Sequence, residues 1–250
     1  LMEGEVSLSS KVNCTGAYTQ VTPSPRCWRR SGHGSLNLTE AIQNSCNFFF
    51  YDIGYRFATK SGNYNAQDGL DVLAKYAEMY GLTEKSGVEI EESQPSVSDE
   101  LPIPSAIGQG TNSFTAVGLT RYVATVANGG NCYNLTLLDH VQDKEGTVLT
   151  RQKSTLQGTV DIPVEYWNAI RLGLRRVVEG KSYFNELSVK VAGKTGTAQQ
   201  IISRPNHALF VGYAPYDMPE IAITVRIPFG YSSDYAAQTA KDVISYYYGL

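Results

Sequence analysis

Three strand-like stretches between residues 189 and 227 constrain this chain more than any other feature. Residues 189–199, 207–214 and 220–227 are joined by connections of about six residues, whereas a parallel crossover takes a dozen or more. They are therefore expected to pair as antiparallel neighbours. In the third, Ile221, Ile223, Val225 and Ile227 alternate with Ala222, Thr224 and Arg226, the period-two pattern of a half-buried strand. Such a sheet has an apolar face that must be covered. The segment starting at Asp234 puts Ala237, Ala240, Ile244 and Tyr247 on one helical stripe, ready to lie on it. Just upstream, Asp161 and Pro163 open a helix in which Trp167, Ile170, Leu174 and Val177 recur at helical spacing, ending at Gly180.

The earlier part reads as mainly helical. Residues 1–35 are turn-rich. A helix then begins at Asn37-Leu38-Thr39-Glu40, where Asn37 or Thr39 is placed to cap and Ala41 and Ile42 start an apolar face. Ser45-Cys46-Asn47 interrupts it, because Ser and Asn side chains compete for backbone hydrogen bonds and predict a break before the run Phe48–Gly54. Further helices are expected over 68–80, stopping at Gly81, and over 115–128, closed by Gly129-Gly130. Residues 84–110 read as a polar, proline-dotted surface connection. The fold class is α+β, with a helical part over about 36–160 and a sheet-plus-helix part over about 161–250.

Bulk properties exclude several functions. A hydrophobic content of 42%, a charged content of 18% and a net charge of −3 describe a globular chain without the basic footprint of a nucleic-acid binder. No apolar run approaches the ~20 residues that span a bilayer. Cys14, Cys27, Cys46 and Cys132 fit no zinc module and include no C-x-x-C. Cys14 and Cys27 flank a loop holding Pro23 and Pro25, which leaves open a hairpin-closing disulfide or two reduced thiols. His33, His140 and His207 are far apart, and His33, between two glycines, reads as a turn residue. No metal and no cofactor is expected.

The stretch VAGKTGTAQ, residues 191–199, admits two chemistries. Gly193-Lys194-Thr195 is the end of a phosphate-cradling loop, but such a loop needs a glycine at 188, where Ser188 stands. It also needs a helix to follow, and Gly196-Thr197 follows instead. Lys194-Thr195-Gly196 is equally one element of the Ser-x-x-Lys, Ser-x-Asn, Lys-Thr-Gly set of acyl-serine enzymes. The Ser-x-Asn element is present as Ser45-Cys46-Asn47. No lysine has a serine three residues before it, so the Ser-x-x-Lys element is absent.

With these motifs, GHGSLNLTEAIQNSCNFFFYDIG, AIGQG and KVAGKTGTAQ followed by HALFVGYAP resemble penicillin-binding proteins, most closely the monofunctional class B transpeptidases. The resemblance runs from about residue 10 to the C-terminus in the family's order. It implies a penicillin-binding-protein/serine β-lactamase-like fold, a helical subdomain beside an antiparallel sheet flanked by helices. It also implies that residues 1–250 are the C-terminal part of one transpeptidase domain, cut after the Ser-x-x-Lys helix, inert alone and exposing apolar surface.

By the same resemblance Lys194 helps keep the missing lysine neutral and attracts the substrate carboxylate. Ser45 relays a proton to the departing nitrogen, and Asn47 clamps the substrate amide. Thr195 and Thr197 meet the carboxylate, Gly196 lets the peptide lie against the strand, and the Thr197 N–H forms half of an oxyanion hole. The implied partners are peptidoglycan stem peptides ending in D-Ala-D-Ala, β-lactam antibiotics and the cell-wall synthesis machinery. The implied location is the extracytoplasmic face, on a membrane-anchored parent. A β-lactam sensor, a D,D-carboxypeptidase or β-lactamase, and remotely a nucleotide-binding enzyme are the competing expectations.

Overall fold

Residues 12–36 are more ordered than their composition suggests. In the computed structural model, which describes residues 1–250, β1 (Val12–Cys14) pairs antiparallel with β2 (Gly34–Leu36). The connection folds back on itself through Gly16, whose φ is +93° and where a Cβ would lie 2.0 Å from the Arg30 carbonyl oxygen. Only glycine fits that approach. The path it permits matters below.

α1 (Leu38–Gln43) starts with a complete capping box: Asn37 Oδ1 accepts from the Glu40 N–H at 3.0 Å, and Glu40 Oε2 accepts from the Asn37 N–H at 2.9 Å. It stops at Asn44. Ser45 then takes a left-handed conformation, φ 51°, and α2 (Asn47–Thr59) departs in a new direction. The expected break therefore falls on the Ser-x-Asn element itself. α3 (Ala66–Met79) begins two residues before the expected start and is capped by Asn65. A single turn, α4 (Pro102–Ser105), interrupts the polar connection, and α5 (Ala116–Ala127) begins at the Thr115 cap.

Two small antiparallel pairs follow that the sequence pattern did not announce. β3 (Asn131–Tyr133) pairs with β6 (Leu156–Thr159), and β4 (His140–Gln142) pairs with β5 (Val148–Arg151). Each strand has only three or four residues, too few to show a period. α6 (Val164–Glu179) and a short 3₁₀ turn at Ser182–Glu186 lead into the main sheet.

That sheet has the order β7 (Ala192–Ala198), β8 (His207–Ala214), β9 (Ile221–Ile227), all antiparallel as expected, with Lys194 opposite Val211 and Gly212 opposite Ile223. Alternate residues of β8 serve opposite faces. Ala208, Phe210 and Ala214 pack with Ala236, Ala237, Ala240 and Ile244 of α7 (Ser233–Tyr248). Tyr213 and Val211 pack with Val123 and Ala127 of α5. The predicted α7 stripe holds at 237, 240 and 244 but not at its end: Tyr247 is exposed and Tyr248 joins the core instead. Both fit a 3.6-residue period, so only packing decides between them. α6 lies against both β7 and α1, where Gly173 brings the helices together beside Ile42.

Candidate active site

The α1–α2 turn carrying Ser45 faces β7, an edge strand of the sheet. Lys194 Nζ donates to Ser45 Oγ at 2.7 Å and to its neighbour's carbonyl, Thr195 O, at 2.8 Å. Two elements 149 residues apart thus meet in one contact. The left-handed Ser45 is held from outside by Trp28, whose indole N–H donates to Asn44 O at 3.1 Å and Ser45 O at 3.0 Å. Burial lowers the Lys194 ammonium from its ordinary 10.5 to about 8, and the Lys181 charge pushes the same way.

Asn47, Thr195, Gly196 and Thr197 all reach the same cleft, so the six residues singled out in the sequence converge. The cleft has two polar cavities that share Ser45, Asn47, Lys194, Thr195 and Thr197. One, of about 670 Å³, also takes in Tyr51, Gln109, Gly196 and Gln199; the other, of about 660 Å³, takes in Trp28, Gln43, Arg176 and Lys181. Beneath lies an apolar cavity of about 440 Å³, walled by Ile42, Phe50, Phe57, Tyr122 and Leu174 and touching Lys194. Trp28, Arg176 and Lys181 belong to no motif, and nothing in the local sequence marks them.

A family profile described as "Penicillin binding protein transpeptidase domain" matches residues 1–245. The chain belongs to the penicillin-binding protein transpeptidase family. It is 28% identical over 260 residues to the peptidoglycan D,D-transpeptidase MrdA of Haemophilus influenzae, covering 89% of this chain and 38% of that one. It is 29% identical over 216 residues to stage V sporulation protein D of Bacillus subtilis, covering 81% and 32%. The chain thus spans about a third of the length of the curated relatives it matches. Among solved structures, Pseudomonas aeruginosa PBP2 in complex with WCK 5153 superposes with a TM-score of 0.81 at 26% identity, covering 98% of this chain and 57% of that one. The expected fold class is borne out: mixed helices and an antiparallel sheet, as in penicillin-binding transpeptidase domains.

This family member carries a second constellation that the sequence reading dismissed. The β1–β2 hairpin brings Cys14, Cys27 and His33 together beside Cys46 at the start of α2, the four donor atoms all within 4.8 Å of one another. His33 Nδ1 lies 3.6 Å from Cys14 Sγ and 3.5 Å from Cys27 Sγ. A tetrahedral zinc with bonds of about 2.3 Å to sulfur and 2.0–2.1 Å to nitrogen separates those donors by about 3.5 Å. The distances fit. Burial works against a thiolate at Cys27, yet backbone N–H groups of Phe48, Arg29 and Asn47 outweigh it and pull that thiol below its usual range.

All four cysteines are free, so the Cys14–Cys27 disulfide left open above is not formed. His33 is not a mere turn residue: three cysteines and a histidine spread from 14 to 46 come together in one group whose donor atoms could hold a metal ion. The spacing looked like no zinc module because a folded-back hairpin, not a short knuckle, collects the ligands. By contrast, His140 pairs with exposed Asp139, and His207 meets Gln200 and the Phe229 N–H, away from any cluster.

Proposed function

We propose that this chain is the C-terminal part of a D,D-transpeptidase domain that cross-links peptidoglycan stem peptides through an acyl-serine intermediate. The observation that carries this reading is the 2.7 Å contact between Lys194 Nζ and Ser45 Oγ, a desolvated cation holding a hydroxyl in the mouth of a cleft. The nucleophilic serine is assigned to a Ser-x-x-Lys helix of the parent protein. The apolar cavity that reaches Lys194 suits such a helix.

The chemistry follows from what each group can do. A stem peptide laid along β7 as an added strand presents its scissile amide beside Ser45, with the terminal carboxylate near the Thr195 and Thr197 hydroxyls. The serine attacks the carbonyl, the amide C–N bond breaks, and D-alanine departs. Ser45, hydrogen-bonded to Lys194, hands a proton to the leaving nitrogen, which would otherwise depart as an amide anion. Asn47 offers both a donor and acceptors to the substrate amide. The Thr197 N–H supplies one oxyanion donor, a group whose loss typically costs about 3 kcal/mol of barrier.

We further propose that Cys14, Cys27, His33 and Cys46 hold a structural zinc ion. Four protein ligands leave no open position, so the metal would fix geometry without entering the reaction. Its placement is consequential because Cys46 is the middle residue of Ser45-Cys46-Asn47.

β-Lactams and the cell-wall synthesis machinery are the proposed partners. The proposed location is the extracytoplasmic face, on a membrane-anchored parent; no helix of this chain is long and apolar enough to cross a membrane. The deciding experiment treats the full-length protein with a fluorescent penicillin. A denaturation-resistant penicillin label is expected, and with an N-acyl-D-alanyl thioester as donor the acyl group should pass to an added acceptor amine. Rapid hydrolytic release of the penicillin label points instead to a β-lactamase, stable label without acyl transfer from the thioester to an amine to a sensor, and no label at all refutes the acyl-serine reading.

A further inference from the structure

The cleft is asymmetric about the Ser45–Lys194 contact. The cavity containing Gly196 and Gln199 continues along β7 and is the side on which a strand-like donor peptide extends. The cavity beside Trp28 lacks both residues and takes in Gln43, Arg176 and Lys181 instead. In a transpeptidase the incoming amine occupies the place of the outgoing one, since the two half-reactions pass through the same tetrahedral species in opposite directions. The second cavity is therefore where the leaving amine exits and the acceptor enters.

The chemistry of that cavity is selective. Trp28, Gln43, Asn44, Arg176 and Lys181 line it together with the cleft residues, and no carboxylate is among the lining side chains. Of its three cations, Lys194 is engaged by Ser45 at 2.7 Å and Lys181 by Asp234 at 2.6 Å. Arg176 is half-buried, and its guanidinium makes no hydrogen bond or ion pair. The other arginines of α6 are committed: Arg171 to Tyr213 and Tyr216, Arg175 to Val191 and Glu179. A half-buried guanidinium with no partner, sharing an acid-free cavity with two other cations, matches a planar anion bound by two parallel hydrogen bonds. Trp28 lines the same cavity, 61% exposed, with its ring held by the two indole hydrogen bonds. It is a rigid apolar wall for a methylene chain.

We propose that this cavity is the acceptor subsite and that Arg176 selects an amine whose own carbon bears a carboxylate, the end of a 2,6-diaminodicarboxylic stem peptide, over a lysine-type amine. The inference rests on the transpeptidase reading and adds the substrate class to it. In the step concerned, the acceptor nitrogen attacks the acyl carbon and a C–N bond forms. The ester C–O bond to the serine breaks, and the amine proton passes through Ser45 to that serine oxygen. Thr195 and Thr197 line this cavity too and meet that carboxylate as they meet the one on the departing D-alanine; Arg176 joins them and touches only the carboxylate, so it binds and orients the acceptor.

The test uses the full-length protein, acylated with an N-acyl-D-alanyl thioester. A tripeptide ending in meso-diaminopimelate competes in one vessel with the same tripeptide carrying that side-chain carboxylate as its amide. The amide's amine is less protonated, so intrinsic reactivity favours the amide and only binding reverses the order. We expect the acid to prevail at least tenfold in cross-linked product. Arg176→Gln should bring the ratio to unity or below, and Arg176→Lys should restore part of it. A ratio measured in one vessel is insensitive to the fraction of protein folded. Equal use of acid and amide by the wild type, or a preference that survives Arg176→Gln, overturns the proposal. Penicillin labelling of the same wild-type sample separates the failures: label without acid preference sinks only the acceptor assignment, whereas no label sinks the transpeptidase reading and this inference with it.

Discussion

Replacing Lys194 with methionine keeps an unbranched stem in the cleft and removes the ammonium. Burial, with the Lys181 charge, lowers Lys194 from 10.5 to about 8. At about 1.36 kcal/mol per pKa unit, the charged side chain costs the folded state roughly 3 kcal/mol. Water in the two adjoining cavities screens part of that, and losing the Ser45 hydrogen bond takes back about 1 kcal/mol. The variant is thus expected to be more stable than wild type at pH 7 by about 1–2 kcal/mol, or several degrees in Tm.

The pH dependence is the sharper signature. Below pH 8 both states hold the proton and the full cost applies. Between pH 8 and about 10.5 the unfolded lysine still binds a proton that the folded one has released, so wild-type stability gains up to about 1.4 kcal/mol per pH unit relative to the variant. Above that window the cost is gone. Guanidinium titrations of both full-length proteins at pH 7, 8, 9 and 10, with penicillin labelling alongside, make the comparison. A stability difference that stays flat with pH, or a methionine variant that is weaker at pH 7, refutes the reasoning. Loss of labelling in a more stable variant is the expected result.

Ser45→Ala should slow acylation by at least about a hundredfold, the scale of a lost proton-transfer group, while lowering the melt by only about 2–4 °C for the ~1 kcal/mol hydrogen bond to Lys194; stopped-flow penicillin binding measures the first. Full-length protein purified without chelator should carry one zinc per chain by mass spectrometry. Cys27→Ser should lower both that ratio and the Tm, and metal-free protein with an unchanged melt would end the zinc assignment. Gly173→Leu should destabilise by roughly 1–3 kcal/mol or more, because a Cβ there meets Ile42 Cβ at 2.9 Å where α6 crosses α1; denaturant midpoints report it. An unchanged midpoint would mean that the helices are not in close contact.

The legible parts of the fold share one property: their causes lie within a few residues. The alternation of 221–227 and the short connections ahead of it specify an antiparallel sheet, and Asn37 with Glu40 specifies a helix start. The Ser-x-Asn and Lys-Thr-Gly elements could be named because their residues are adjacent. β1 to β6 escaped because strands of three or four residues carry no readable period. Even α7 shows the limit, since 247 and 248 suit the same helical face and the sheet accepted Tyr248.

What the sequence determined by itself was therefore the kind of layers this protein builds and the motif residues they display. Tertiary structure alone decided which distant groups share a space: Lys194 against Ser45, the thiols of 14, 27 and 46 around His33, and Arg176 with Trp28 in the lining of one acid-free cavity. Backbone propensity and side-chain periodicity act over one or two turns of chain. Hydrogen bonding, desolvation and metal ligation act over a few ångströms of space, and only the packed fold turns one kind of neighbourhood into the other.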